Sequence, residues 1–149
     1  MIEVKGISKG FEGRNVLEDV SHRFEKGKVN LIIGGSGSGK TVLMKCLVGL
    51  FEVDSGSIEY DGRNFSELDF DGRKPIRREI GMLFQGGALF DSLSIWQNVA
   101  FRLMRGATKR PKAEAREIAI EKLRRVGLKP ETADMFPAEL SGGMQKRVG

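Results

Sequence analysis

The feature that most constrains this chain is a glycine-rich stretch at residues 34–41, which reads Gly-Gly-Ser-Gly-Ser-Gly-Lys-Thr. It fits the pattern G-x-x-x-x-G-K-[ST] at every fixed position. Glycines let the backbone curl so that successive N–H groups point inward at an anion, which larger side chains would obstruct. The lysine supplies a mobile charge for phosphate oxygens, and the following hydroxyl is a ligand for Mg²⁺. We therefore predict a phosphate-binding loop; the alternative is a glycine-rich turn that binds nothing.

The segments on either side of this loop favour the first interpretation. Residues 29–33 are mostly apolar and β-branched, which predicts a strand buried on both faces. Residues 41–51 carry apolar side chains in nearly every direction around a helix, which predicts a helix buried on most sides. A helix that begins at Lys40 adds its positive N-terminal end to the loop. Strand, loop and helix in this order are the context that a nucleotide-binding loop requires.

The remaining patterns predict a β-rich beginning and a helical end. Residues 2–7 and 20–24 alternate apolar and polar side chains, as antiparallel strands with one solvent-exposed face do. Residues 57–60 with the turn Asp61-Gly62 predict another strand, and residues 80–84 predict a second apolar one. No internal repeat is present, so the chain divides into a strand-rich first part and a helical second part.

Two helices are predicted after residue 90. Ser94 and Gln97 are spaced as a capping box for a helix that would carry the apolar residues Ile95, Val99, Leu103 and Met104. Pro111 opens a longer helix, and Gly127 ends it.

Composition narrows the class of protein. The chain has 149 residues, the size of one ordinary domain, and no apolar run approaches the roughly 20 residues of a membrane helix. One cysteine, Cys46, excludes an intramolecular disulfide. The net charge of +5 comes from bases interleaved with acids, as in residues 112–117, which indicates a solvated face rather than a nucleic-acid partner. Few aromatic residues are available to stack on bases.

A second glycine cluster lies at Leu140-Ser141-Gly142-Gly143-Met144-Gln145. Alone it predicts a helix start, with Ser141 as the N-cap and glycines that leave N–H groups bare for an anion; the alternative is a simple cap. Together with the phosphate loop it resembles LSGGQ, the signature motif of the ATP-binding-cassette (ABC) ATPases. The resemblance covers essentially the whole chain.

This resemblance implies an α/β P-loop NTPase fold with an antiparallel β-subdomain and a helical subdomain. Residues 1–87 would form the nucleotide-binding core with the β-subdomain and P-loop, and residues 88–149 the helical subdomain that ends in the signature motif. Asp54-Ser55-Gly56-Ser57-Ile58 also looks like the family's pattern, whereas Val53 stands where many members have proline.

The resemblance further implies ATP and Mg²⁺ as cofactors. Its catalytic residues would be Lys40 and Gln85, and its metal ligands Thr41 and Gln85. The nucleotide-binding residues would be Phe11, Gly34, Gly35, Ser36, Gly37, Ser38, Gly39, Lys40, Thr41, Ser141, Gly142 and Gly143. Phe11 stands where an aromatic ring, more often tyrosine, stacks on adenine, and a phenyl face suffices for that. The alternatives are that Phe11 is plain core and Gln85 a polar residue at a strand end.

A finer resemblance follows Gln85. Residues 86–95 and 98–101 look like the ATPases of the Mla/Mce phospholipid transporters. This implies an ATP-binding subunit that couples ATP hydrolysis to transport of phospholipid, or another hydrophobic substrate, across the inner membrane. Its partners would be a transmembrane permease subunit and a second ATPase subunit in a homodimer, with no nucleic acid. It would be cytoplasmic, peripheral on the inner membrane. Three alternatives stay open: another importer-like branch, an ABC ATPase of cell division or translation, and a nucleotide-binding module without catalysis.

Two parts of the family's chemistry are missing from the sequence: an apolar strand that ends in Asp-Glu, and a later histidine. Asp91 is the nearest match to the first but is followed by serine, and His22 lies in an early strand, where a structural role is expected. The helix after Ser141 has no stop signal. We therefore expect an N-terminal fragment that ends before the Walker B strand, is inactive as an ATPase alone, and exposes an apolar edge.

Overall fold

The computed structural model describes residues 1–84, 86–106 and 109–149, so Gln85 lies outside the described residues. The chain divides into two compact units, residues 1–82 (the first unit) and 83–149 (the second unit). The first unit contains β1 (Ile2–Phe11), β2 (Arg14–Phe24), α1 (Lys40–Leu47), β3 (Ser55–Tyr60), β4 (Arg63–Asn64) and α2 (Arg73–Glu79). The second contains α3 (Ile95–Val99), α4 (Lys112–Arg125), 3₁₀ helices at Pro130–Asp134 and Pro137–Glu139, and α5 (Gly142–Val148).

The four strands form one antiparallel sheet in the order β2-β1-β3-β4. Val4 in the central strand lies opposite His22 on one side and Ile58 on the other, and Val4 and Ile58 are buried in the core. The strands and the turn at Asp61 predicted from alternation are therefore confirmed. At Gly56 the neighbouring backbone comes so close that a Cβ would lie 2.4 Å from two carbonyl oxygens, so only glycine fits.

The prediction of two apolar strands is wrong, because neither segment is a strand in the described part of the chain. Residues 29–33 form no strand, and Val29, Leu31 and Ile33 are 98%, 82% and 80% exposed. Residues 80–84 are also irregular, with Leu83 60% exposed. A strand of this kind needs flanking strands for its backbone hydrogen bonds and cover for both faces, and the described sheet supplies neither. The result is the uncovered apolar edge that the sequence led us to expect.

Helix α1 is shorter and less buried than predicted. It ends at Leu47, and Met44 and Leu50 remain exposed while Leu43 and Cys46 enter the core. Thus the part of the helix surface that the sheet does not reach stays open. Its end is tied to the sheet by the hydroxyl of Tyr60, which donates to the Leu47 carbonyl at 2.6 Å. Burial raises the pKa of Tyr60 to about 12.

A buried arginine holds α2 in place. The Arg73 guanidinium lies 5.0 Å from the centre of the Phe65 ring and donates to the carbonyls of Phe65 and Ser66, both at 3.0 Å. It also pairs with both carboxylate oxygens of Glu52. This hydrogen bonding holds the pKa of Glu52 below its ordinary value. The sequence patterns did not point to this contact, because α2 itself was not predicted.

The second unit follows the predicted helices more closely. Ser94 caps α3, its N–H donating to Gln97 Oε1 at 2.9 Å, and α4 runs to Arg125 before Gly127. Helix α3 stops at Val99, and the Phe101 N–H bonds three residues back to the Asn98 carbonyl at 3.2 Å. Leu103 and Met104 therefore lie outside it but still pack against the core around Trp96. Among the described residues, no helix has the length and apolarity to cross a membrane.

Candidate functional site

The glycine-rich loop ends at the first residue of α1. Gly39 precedes the helix with a φ of 85°, and its carbonyl accepts from the Leu43 N–H at 2.8 Å. A Cβ on Gly39 would lie 2.9 Å from the Val16 carbonyl oxygen, so both the backbone conformation and the close approach of β2 require glycine. The loop is thus pressed against β2, with the helix N-terminus directed into it.

Lys40 spans the loop from its helix. Its Nζ donates to the carbonyls of Gly34 at 2.8 Å and Gly35 at 2.6 Å, and lies 3.3 Å from Ser38 Oγ. The ammonium group therefore lies at the mouth of the loop, where a phosphate oxygen can replace a carbonyl as its acceptor. Thr41 follows with an exposed side chain. A depression of about 160 Å³ is lined by Val16, Gly37, Ser38, Gly39, Lys40, Thr41 and Val42.

This arrangement fits a phosphate with Mg²⁺. The loop offers backbone curvature, one ammonium group and one hydroxyl, which is the donor set that a bound nucleotide phosphate and its cation need. Among the described residues, no group of three or more His, Cys, Asp or Glu side chains could hold a metal alone. A cation here would therefore be held by Thr41 together with the phosphates.

Phe11 lies at the end of β1, opposite Arg14 of β2. The residue is 40% exposed, and its ring meets the Phe51 ring edge-on at a centroid distance of 5.2 Å. Lys9 Nζ also lies over this ring, 5.4 Å from its centre, so the exposed part of the ring is what remains for the predicted adenine contact. Val16, two residues along β2 from Arg14, lines the depression at the phosphate loop, so one hairpin carries both features.

Asp54 fixes the end of β1 beside Phe11. Its carboxylate accepts from Lys9 Nζ at 2.6 Å and from the Gly10 N–H at 2.7 Å. These two hydrogen bonds, first that of Lys9, hold the pKa of Asp54 below its ordinary value. Asp54 was singled out in the sequence only as part of a family pattern. The structure gives it a physical task, which is to hold the strand that presents the aromatic ring.

The second glycine cluster begins α5 in the second unit, as predicted. Ser141 is the N-cap, and its Oγ accepts from the Met144 N–H at 3.3 Å. Gly142 and Gly143 are exposed, and a Cβ on either would have no neighbour within 4 Å. The first turn of the helix is therefore open to a ligand or to another chain.

Two side chains that the sequence analysis left without a role hold α5 in place. Gln145 Nε2 donates to the Pro137 carbonyl at 2.8 Å. Arg147 Nη1 lies 3.3 Å from the Gly127 carbonyl oxygen, just beyond the last turn of α4. A basic residue beside the free carbonyls of a helix end is a known capping pattern, but the two are far apart in sequence. Only the fold brings them together.

Of three other candidates, two have clear placements. Asp91 is exposed in a turn. It does not end a strand, which agrees with its weak match to the Asp-Glu motif. His22 lies on β2, with its ring edge-on to Phe24 at 4.6 Å, which agrees with a structural role. Gln85, the predicted catalytic and metal-binding glutamine, lies outside the described residues.

A family model described as "ABC transporter" matches residues 17–149, which include the phosphate loop and the start of α5. The chain belongs to the ABC transporter family. Among curated ABC relatives, the probable ribonucleotide transport ATP-binding protein mkl of Mycobacterium leprae is 44% identical over 148 residues. That match covers 99% of this chain and 42% of the relative. The glutamine transport ATP-binding protein GlnQ of Escherichia coli is 43% identical over 150 residues. That match covers 99% of this chain and 60% of GlnQ.

Solved ABC structures confirm the fold class. The cassette MJ0796 in a dimeric post-hydrolysis state, bound to ADP and Pi, superposes with a TM-score of 0.86 at 31% identity. That match covers 99% of this chain and 66% of the cassette. The predicted α/β P-loop fold with an antiparallel β-sheet is therefore correct, and the chain spans less than half of the mycobacterial relative.

Proposed function

We propose that this chain is the nucleotide-binding part of an ABC transporter subunit that couples ATP hydrolysis to transport across the inner membrane. The single observation that carries the proposal is the loop at residues 34–41, with Lys40 Nζ at its mouth and α1 directed into it. Such an arrangement binds nucleotide phosphates through backbone N–H groups, the lysine charge and the helix end.

Each site residue has a proposed part in nucleotide binding. Lys40 would hold the β- and γ-phosphates, and Thr41 would hold Mg²⁺, which neutralises charge on the phosphates. The exposed part of the Phe11 ring would stack on adenine, on the strand end that Asp54 fixes. Gln85 stays a proposed catalytic residue and Mg²⁺ ligand on the family resemblance alone.

A second copy of the subunit would complete the site. Ser141, Gly142 and Gly143 of one copy would approach the γ-phosphate held by the loop of the other. The open first turn of α5 supports this, since its backbone N–H groups have no side chain in front of them. One chain alone should therefore bind ATP only modestly.

The test is a titration of this chain with Mg·ATP by calorimetry, together with a turnover assay. We expect saturable but weak binding and no measurable turnover, because the sequence lacks the carboxylate that would activate water. Absence of any binding at millimolar ATP would contradict the proposal. Turnover above that of a Lys40→Ala control would show that Asp91 or another acid serves as the base.

The proposed membrane partner is a transmembrane permease subunit, and the proposed docking segment is Ala88–Ser94. Asn98 holds this segment in shape, because its Oδ1 accepts from the Phe90 N–H at 2.7 Å and its Nδ2 donates to the Leu93 carbonyl at 3.0 Å. Phe90 is 49% exposed, so an apolar side chain is presented on a fixed loop. The subunit would then lie on the cytoplasmic face of the inner membrane.

The proposed substrate class is phospholipid or another hydrophobic molecule. It rests on the likeness of residues 86–95 to the Mla/Mce ATPases. The relatives are named for ribonucleotide, glutamine and methionine transport, so their names do not agree on a substrate. The family match supports transport in general, and the Ala88–Ser94 segment supports the narrower proposal.

We expect the double variant Phe90→Ala/Leu93→Ala to lose most of its co-purification with the permease in the full transporter while Mg·ATP affinity stays nearly unchanged. Burying two such side chains at an interface contributes roughly 3–5 kcal/mol, enough to hold a complex. The matched control is Val126→Ala/Phe136→Ala, which removes two other exposed apolar side chains from the second unit. A normal complex with the first variant would remove the main support for the docking segment and for the lipid assignment.

A further inference from the structure

The net charge of this chain is concentrated in one short segment. The first unit has thirteen basic and thirteen acidic residues, whereas the second has twelve basic and seven acidic. Five of those twelve lie between positions 102 and 112, where no acid occurs, so the rest of the second unit is balanced at seven and seven. We call Arg102, Arg105, Lys109, Arg110 and Lys112 the basic cluster. The interpretation of bases interleaved with acids is therefore wrong for this segment.

The fold brings this cluster together on the surface. The Arg110 N–H donates to the Leu103 carbonyl at 2.7 Å, which closes the loop between them, and all five basic residues are exposed. Leu103 and Met104 pack against the core of the second unit, so the loop is anchored from below. The backbone contact brings the two ends of the segment side by side, so its basic residues lie on one stretch of the surface.

Little in the described part of the chain neutralises the basic cluster. Of its five members, only Arg110 pairs with a carboxylate within the described ranges, and that carboxylate belongs to Glu114. Arg105 and Lys112 instead lie over aromatic rings, at 3.7 Å from the centre of Phe101 and 5.7 Å from that of Trp96. Arg102 and Lys109 make no side-chain hydrogen bond or ion pair among the described residues.

The aromatic residues beside the cluster favour one kind of anionic partner. The Phe90 ring stacks on the Phe101 ring at a centroid distance of 4.5 Å. The Arg105 guanidinium lies only 3.7 Å from the centre of the Phe101 ring. Because both groups are this close, they must occupy opposite faces of the Phe101 ring. Phe101 therefore has no free face for a nucleic-acid base. Phe90 on the other side of that ring belongs to the proposed docking segment, so the basic cluster lies beside the place where the chain would meet its membrane subunit, as basic residues that contact anionic headgroups commonly do.

We propose that the basic cluster binds the anionic phospholipid headgroups of the membrane in which the permease sits. This inference rests on the proposed function only in placing the chain at that membrane. Each Lys or Arg near an anionic surface strengthens binding by about fivefold, so five clustered bases give a contact that would add to permease docking. The binding would be nucleotide-independent and would weaken with salt.

The experiment measures co-sedimentation of the whole chain, without nucleotide, with vesicles of phosphatidylcholine containing about one third phosphatidylglycerol, a strongly anionic surface. We expect binding to these vesicles and little to pure phosphatidylcholine. Arg102→Gln/Lys109→Gln should weaken it about 25-fold, since two charges are lost. The control Lys122→Gln/Arg124→Gln removes the same charge from exposed positions on α4 and should change binding by less than about twofold. Trp96 fluorescence checks that both variants remain folded.

Four results would overturn the proposal: no binding to anionic vesicles, equal binding to neutral vesicles, equal losses for the two variants, or tighter binding to single-stranded RNA than to anionic vesicles. A parallel Mg·ATP titration separates this inference from the proposed function. Vesicle binding without nucleotide binding would contradict only the latter, and nucleotide binding without vesicle binding would contradict only the former.

Discussion

Lys40→Ala is expected to weaken Mg·ATP binding by about 10- to 100-fold, the effect of losing a hydrogen bond to a charged group. In the structure the ammonium group is held at the mouth of the loop by the carbonyls of Gly34 and Gly35. No other basic side chain lines the depression beside the loop, among the described residues. A neighbouring lysine should therefore not replace the lost charge.

Calorimetric titration of wild type and variant measures this loss. The matched control is Lys26→Ala, which removes a lysine from the turn after β2 and should leave ATP affinity unchanged. Equal affinity for wild type and Lys40→Ala would show that the loop does not bind phosphate as proposed. A thermal melt of each variant excludes unfolding as the cause.

Arg73→Met is expected to lower the free energy of unfolding of the first unit by about 2–3 kcal/mol, because one buried and one partly buried carbonyl lose their donor. Those carbonyls belong to Phe65 and Ser66, and Arg73 is only 7% exposed. Methionine keeps most of the side-chain volume, so the lost hydrogen bonds dominate the effect. Arg78→Met, at an exposed position on the same helix, is the control and should change stability little.

Denaturant unfolding measures this change, with one probe for each unit. Tyr60, the single tyrosine, lies in the core of the first unit, and Trp96, the single tryptophan, lies in that of the second. The transition seen by Tyr60 should shift in Arg73→Met. A shift seen only by Trp96, or an equal shift in Arg78→Met, would contradict the assigned role of the buried arginine.

The same contact predicts a dependence of stability on pH. Arg73 lowers the pKa of Glu52 in the folded chain below its ordinary value of 4.5. The stabilisation is therefore fully present above pH 4.5 and is lost as the pH falls through the lower folded pKa. In Glu52→Gln this acid-dependent loss should be absent, so wild type and variant should converge in stability at low pH.

Local sequence was sufficient for the features that short-range contacts build. The glycine spacing at residues 34–41, the capping box at Ser94, the turn at Asp61 and the Ser141 cap each depend on residues within a few positions of one another. Their backbone conformations and hydrogen bonds involve only residues that are near one another in sequence, so the sequence pattern alone predicted them. The phosphate loop and the signature motif are also short continuous runs of residues, so the family resemblance could be recognised from the sequence.

Tertiary structure decided what depends on distant partners. Residues 29–33 have the composition of a buried strand, yet they stay exposed because no described strand pairs with them. Arg73 is buried because carbonyls and a carboxylate from other parts of the chain surround it, which no periodicity reveals. The basic cluster is one surface only because the Arg110 N–H closes its loop on Leu103. In each case long-range backbone pairing or desolvation, rather than local propensity, set the result.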